Sequence, residues 1–286
     1  MPIVIRARVF GFCMGVRRAM EMVLGEADRG SSSVYTLGPL IHNSTALELL
    51  AGRGVRVLDE RALPSHLEGS IVVIRAHGVA PRLIEEVKRR GAGIVDATCP
   101  RVRLSQKKAE KYASDSYILF LAGEAEHGEI IGIAAYAPGC LIVSSPTEAR
   151  QKAETLRKVN PQAKVALIGQ TTIKSSEYSD ISKEIIAFFP GLEIFDGICP
   201  ATTDRQNALR DLCDSTDAIV VVGGRNSANT KRLYLSALEY GKPAWLVENA
   251  AELTNELGGF DRVGLTAGAS TPDAVIDAVE VKIRSI

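Results

Sequence analysis

Three of the five cysteines in this 286-residue chain recur in one setting. Cys13, Cys99 and Cys199 each follow a short strand-like run and precede a helical pattern, in the contexts GFCMGVRRA, ATCPRVRLS and ICPATTDRQ. Thiolates are soft ligands that favour zinc, copper(I) or iron–sulfur clusters. A structural zinc draws on closely spaced pairs, and no C-x-x-C occurs here, which disfavours zinc while leaving it open. Three thiolates on a [4Fe–4S] cube leave one iron without a protein ligand, an open Lewis-acidic position suited to reductive chemistry. The other two cysteines read differently: Cys140 starts an apolar strand and Cys213 lies on the apolar face of a helix, so both are expected as small buried hydrophobes.

The cysteines head a threefold repeat. A second strand in each third ends in a polar loop carrying His42-Asn43, His127-Gly128-Glu129 or Ser227-Ala228-Asn229; His42, His127 and Ser227 fall 29, 28 and 28 residues beyond their cysteines. A later strand in each third ends in Ala76-His77-Gly78, Gln170-Thr171-Thr172 or Gly268-Ala269-Ser270. In parallel α/β sheets ligands bind beyond the carboxyl ends of the strands, where helix N-termini present backbone N–H groups to anions. The positions of His42, His77 and His127 therefore point to a shared anionic ligand. Glu129 is the only carboxylate among the equivalent positions and is the natural candidate for a proton donor. His66, outside the repeat, is expected to be structural or exposed.

The elements that must position these residues alternate short β-branched runs with amphipathic helices, the mark of βαβ units around parallel sheets. Twelve strands are predicted, over 3–5, 34–37, 55–58, 71–75, 94–95, 118–121, 141–144, 165–168, 192–195, 218–222, 244–247 and 263–266. Helices fit over 81–90, 105–113, 204–214 and 272–283, among others. The expected fold is α/β: three small parallel-sheet units, 1–97, 98–196 and 197–286, related by pseudo-threefold symmetry around a central iron–sulfur site. Whether the strand before each cysteine closes the preceding sheet or opens the next is left undecided by the sequence. Val222-Gly223-Gly224-Arg225 matches neither the dinucleotide fingerprint nor a phosphate loop with Lys-Ser/Thr, and reads as a tight strand-to-helix turn. Arg75, Arg101, Arg103, Arg225 and Lys231 lie near the loops, although charge at a helix start is common.

Composition narrows the function classes. The 34 Lys and Arg balance 34 Asp and Glu, so no charge excess steers the chain toward nucleic acid or an anionic membrane. Aromatic residues make up 5%, and no stacking platform for bases is visible. The apolar runs fall well short of the roughly 18 residues that cross a bilayer. Arg6 and Arg8 interrupt the N-terminal apolar stretch before a signal peptide can develop, and the odd cysteine count argues against a disulfide framework. The expected location is the cytoplasm, with no nucleic-acid or membrane partner.

The segments GFCMGVRRA, IHN, RAHGV, DATCP, HGE, GQTT, ICPATTDRQ, NSANTKR and TAGAS, in this order, resemble the IspH/LytB family of 4-hydroxy-3-methylbut-2-enyl diphosphate reductases. The resemblance runs from Val9 to Asp273. It implies the last step of the non-mevalonate isoprenoid pathway, a two-electron removal of the C4 hydroxyl from an allylic diphosphate to give isopentenyl and dimethylallyl diphosphates. It further implies that Cys13, Cys99 and Cys199 hold a [4Fe–4S] cluster whose open iron takes the substrate hydroxyl. His42, His77, His127, Ser227, Asn229 and Ser270 would bind the diphosphate, and Glu129 would supply protons with Thr171 beside the hydroxyl. Gln170 belongs to the same motif. A flavodoxin- or ferredoxin-type carrier would supply electrons.

Two positions depart from the family pattern. Gly128 stands where the family usually has Pro, which is expected to loosen the loop that positions Glu129. Ala228 stands where a second Ser is common, removing a hydrogen bond worth about 0.5 to 1.5 kcal/mol. The chain also ends without the tail of longer members. Two other readings compete with the reductase: a zinc-dependent hydrolase of a phosphorylated substrate, and a sensor that keeps cluster and pocket but performs no chemistry, against which Glu129 and Thr171 speak.

Overall fold

The computed structural model describes residues 1–30 and 32–286. In chain order its strands are β1 (Ile3–Arg6), β2 (Ser33–Leu37), β3 (Arg56–Leu58), β4 (Ser70–Ile74), β5 (Gly93–Asp96), β6 (Ile118–Ala122), β7 (Leu141–Val143), β8 (Val165–Gly169), β9 (Glu193–Phe195), β10 (Ala218–Val222), β11 (Ala244–Val247) and β12 (Arg262–Ala267). The helices are α1 (Met14–Arg29), α2 (Ser44–Gly52), α3 (Pro81–Arg89), α4 (Pro100–Ser114), α5 (Gly128–Ala134), α6 (Pro146–Val159), α7 (Ser175–Ile186), α8 (Pro200–Ser215), α9 (Ala228–Glu239) and α10 (Asp273–Arg284). Each predicted strand is present, and they form three four-stranded sheets, as the α/β expectation requires. No helix among the described residues is long and apolar enough to cross a membrane.

The chain gathers into two compact units, one of residues 1–57 with 200–286 and one of residues 58–199. The first contains a sheet of order β1-β12-β10-β11, parallel throughout. Period-two alternation explains why its central strands are almost wholly apolar. Val220 and Val222 of β10 face one core with Val275, Ile276, Val279 and Ile283 of α10. Ile219 and Val221 face the opposite core with Leu209 and Leu212 of α8 and Leu233 of α9. Burying a Val, Leu or Ile side chain contributes about 1.5 to 3 kcal/mol, so both faces hold the strand in register. Cys213 lies in that second core, where burial pushes its thiol up to about 11.

The second unit repeats the plan with order β7-β6-β8-β9. Phe120 of β6 and Leu167 of β8 pack under α6 and α7, while Leu119, Leu121 and Ile168 pack under α4 and α5. This unit also holds the parallel pair β4–β5. The strands before the cysteines thus fall on one side of the question that the sequence left open. β5, which precedes Cys99, pairs with β4, and β9, which precedes Cys199, pairs with β8; each closes the preceding sheet. β1, which precedes Cys13, pairs with β12 and closes the sheet of the last third.

Candidate functional site

The cysteines occupy equivalent backbone positions. Cys13 is the N-cap of α1 and Cys99 that of α4, and Cys199 immediately precedes α8. The Cys13 amide donates to Ala269 O (3.1 Å), the Cys99 amide to Ala76 O (2.9 Å) and the Cys199 amide to Thr171 O (2.9 Å). Each acceptor lies two residues beyond a strand end: β12, β4 and β8 respectively. The helices begin earlier than the apolar periodicity suggests, at Pro100 and Pro200, because Pro at the first helical position has no N–H to satisfy and its φ suits the turn. Each thiol is therefore delivered where a strand-end loop meets a helix start. None of the described cysteines forms a disulfide, and Cys13, Cys99 and Cys199 are all half-buried. A set of three such thiols fits a thiophilic metal group better than a hard cation.

In the unit of residues 58–199 the chemistry centres on Glu129. This carboxyl is 2% exposed. The Thr171 amide donates to its Oε1 (2.6 Å), and the Thr171 hydroxyl lies 2.7 Å from Oε2. Burial pushes the Glu129 carboxyl above its ordinary range, and the two contacts from Thr171 offset only part of that. A carboxyl that keeps its proton toward neutral pH can donate it. The Thr171 carbonyl accepts from the Cys199 backbone amide, so the residue that touches Glu129 also fixes the backbone at Cys199. Gln170 beside it is fully buried and serves the loop: its Oε1 accepts from the Glu124 amide (2.9 Å) and its Nε2 donates to Thr172 Oγ1 (3.0 Å).

His77 and His127 also meet in this unit, edge to face, with ring centroids 5.3 Å apart. His127 caps α5, its Nδ1 accepting from the Glu129 amide at 3.2 Å. That bond sets the neutral ring as the Nε2–H tautomer, which presents a donor. Gly128 is the first residue of α5, and a Cβ there would lie 3.6 to 3.8 Å from the Arg75 guanidinium, an ordinary contact. One buried polar residue escaped the sequence reading. Gln106 of α4 is 1% exposed, its amide packed against Gly78 and Gly132. The signal was a polar residue within the helix's buried stripe of Val102, Ser105, Gln106 and Ala109.

The unit of residues 1–57 with 200–286 holds the other candidates. Ser270 donates from Oγ to His42 O (3.3 Å), and both Ser270 and Asn229 are 6% exposed. Ser227 caps α9 through the Thr230 amide, as Asn43 caps α2 through the Ala46 amide. The register of the repeat in these loops is therefore a register of helix caps. Asn229 Nδ2 is buried without a hydrogen-bond partner among the described residues. Gly224 is glycine because the His42 carbonyl would lie 2.3 Å from a Cβ there. Arg205, 3% exposed, donates to Gly11 O (2.7 Å) two residues before Cys13.

The remaining basic candidates form ion pairs or are exposed. Arg103 pairs with Asp96, Arg225 with Glu252, and Arg75 with Glu60. Arg101 and Lys231 are exposed. His66 is exposed beside Glu68.

A family model described as LytB protein matches residues 4–284. A 4-hydroxy-3-methylbut-2-enyl diphosphate reductase of Treponema denticola is 45% identical over 287 residues, covering 98% of this chain and 99% of that protein. One of Geobacter sulfurreducens is 37% identical, covering 98% and 96%. Among solved structures, E-1-hydroxy-2-methyl-but-2-enyl-4-diphosphate reductase from Plasmodium falciparum superposes with a TM-score of 0.87 at 30% identity, over 96% of this chain and 86% of that one. A second, titled (E)-4-hydroxy-3-methyl-but-2-enyl diphosphate reductase, the terminal enzyme of the non-mevalonate pathway, gives 0.72 at 32% identity over the whole of both chains.

Proposed function

The chain belongs to the LytB protein family, and from that premise we propose that it reduces (E)-4-hydroxy-3-methylbut-2-enyl diphosphate to isopentenyl and dimethylallyl diphosphates, closing the non-mevalonate pathway. The observation that carries the assignment is the series Glu129, Thr171, Cys199: a buried carboxyl whose pKa is raised by burial, hydrogen-bonded to the amide and hydroxyl of Thr171, whose carbonyl in turn accepts from the Cys199 backbone amide. The reaction needs two electrons and two protons. The C4–O bond breaks, the hydroxyl leaves as water, and the second proton ends on an allylic carbon.

Cys13, Cys99 and Cys199 would hold a [4Fe–4S] cluster with one iron lacking a protein ligand. When bound, that group supplies electrons and a Lewis-acidic position for the departing hydroxyl. Glu129 holds the proton at its carboxyl and passes it through the Thr171 hydroxyl, 2.7 Å away. Hydroxide is a poor leaving group, and protonation lets it depart as water. His77 and His127 offer ring N–H donors to diphosphate oxygens, and His42, Ser227, Asn229 and Ser270 are the further proposed ligands. A small flavodoxin- or ferredoxin-type carrier would deliver the electrons, and the setting would be the cytoplasm.

The test is purification without oxygen, with iron, acid-labile sulfide and zinc measured per chain before and after replacing Cys13, Cys99 and Cys199 singly by Ser. Iron and sulfide near four each, lost in every variant, together with reduction of the allylic diphosphate, are the expected results. Zinc without sulfide after reconstitution would overturn the assignment in favour of a hydrolase, and a loaded cluster with binding but no product would favour a sensor.

A further inference from the structure

We propose that Arg75 is a positioning residue for the paired histidines His77 and His127, an inference that rests on the reading of those two as diphosphate ligands. Arg75 is the first residue beyond β4, and its side chain is only 13% exposed. Its guanidinium has three neighbours. Nε donates to Gly78 O at 3.2 Å. Nη1 forms an ion pair with Glu60, in the segment between β3 and β4. The plane lies 3.6 to 3.8 Å from where a Cβ would stand on Gly128.

Gly78 and Gly128 are the residues immediately after His77 and His127. One rigid group therefore bonds the backbone after His77 and lines the space on the side-chain side of the glycine after His127, in loops that follow different strands, β4 and β6. The imidazoles meet at 5.3 Å with their planes 86° apart. Arg suits this task better than Lys because its donors are held in a fixed planar fork. Glu60 keeps the guanidinium oriented while balancing its charge in a mostly enclosed site. Two loops held in advance spare a bound dianion the entropy of ordering them. Loss of the clamp should therefore appear in substrate binding, whereas the Glu129–Thr171 proton path and the cysteine ligands do not include Arg75.

The experiment compares cluster-loaded wild type with Arg75→Met, Arg75→Lys and Glu60→Gln under exclusion of oxygen. KM and kcat are measured for the allylic diphosphate, and the affinity for inorganic diphosphate is measured by calorimetry. Arg75→Met is expected to raise KM and weaken inorganic diphosphate about tenfold, with kcat within about twofold of wild type and iron content unchanged. Arg75→Lys should recover part of the loss through the retained pairing with Glu60, and Glu60→Gln should shift KM the same way by less. Unchanged KM and diphosphate affinity in Arg75→Met, or a fall in kcat alone, would overturn the role. Should Arg75→Met not fold, an unchanged KM in Glu60→Gln would overturn it too. A wild-type protein that takes up no inorganic diphosphate would overturn the reading of the histidines themselves.

Discussion

At Glu129 a single side chain carries both a chemical role and a thermodynamic signature. Glu129→Gln keeps the shape and a hydrogen bond to Thr171 but has no acidic proton. Steady-state turnover should fall by about 10² to 10⁴ while iron, sulfide and diphosphate affinity stay at wild-type values. Near-normal turnover would remove Glu129 from the acid role. The same residue couples stability to pH. Burial raises its folded-state pKa, so the folded protein holds a proton that the unfolded chain releases above about pH 4.3. Its contribution is present at low pH and lost as pH rises toward the raised value. Thermal unfolding of wild type and Glu129→Gln from about pH 5 to about pH 8 should show the variant gaining on wild type as pH increases. A constant difference would contradict the burial effect.

Among the elements, the starts of the helices decide where the chemistry points. Gly128, expected to loosen its loop, occupies the first position of α5, and His127 before it is extended at φ −72° and ψ 134°. Both conditions suit proline: the first helical N–H needs no partner, and the residue before proline prefers that backbone region. A Cβ there meets Arg75 only in ordinary contact. Gly128→Pro should therefore raise stability by about 0.4 to 1 kcal/mol without loss of turnover, measured by denaturant unfolding and steady-state assay. Gly224→Ala should do the reverse. Its Cβ would press on the His42 carbonyl at 2.3 Å, backbone against backbone, so the loop must move. Destabilisation of about 1 to 3 kcal/mol and a raised KM are expected, and a neutral substitution would show that the loop yields. The helix starts also mark where periodicity misled. Arg101 and Arg103 break the apolar pattern after Cys99, which moved the expected start of α4 to residue 105, yet Pro100 begins it.

For the whole molecule, the first strand completes the last sheet, and one compact unit joins residues 1–57 with 200–286. On the proposed ligand set, Cys13, Cys99 and Cys199 hold the cluster only in the folded chain. A group that binds only the folded chain stabilises it by mass action. Oxygen-free scanning calorimetry should therefore show a thermal midpoint several degrees higher with the cluster than without it. Cys140→Ser should retain that rise and Cys99→Ser should lose it. Equal midpoints with and without iron would argue against that ligand set.

The sequence alone determined the twelve strands, the register of the three cysteines and the family, because strand alternation, helix caps and short motifs are encoded in neighbouring residues. It also placed Glu129 and Thr171 in two strand-end loops of the same third. Only the tertiary structure decided that their side chains meet at 2.7 Å, that Glu129 is sealed from water, and that Gln170 braces its loop. It alone put the Arg75 guanidinium on the Gly78 carbonyl and beside the open side-chain space of Gly128. Desolvation and contact between distant segments depend on which elements close over a group, and no local pattern records that.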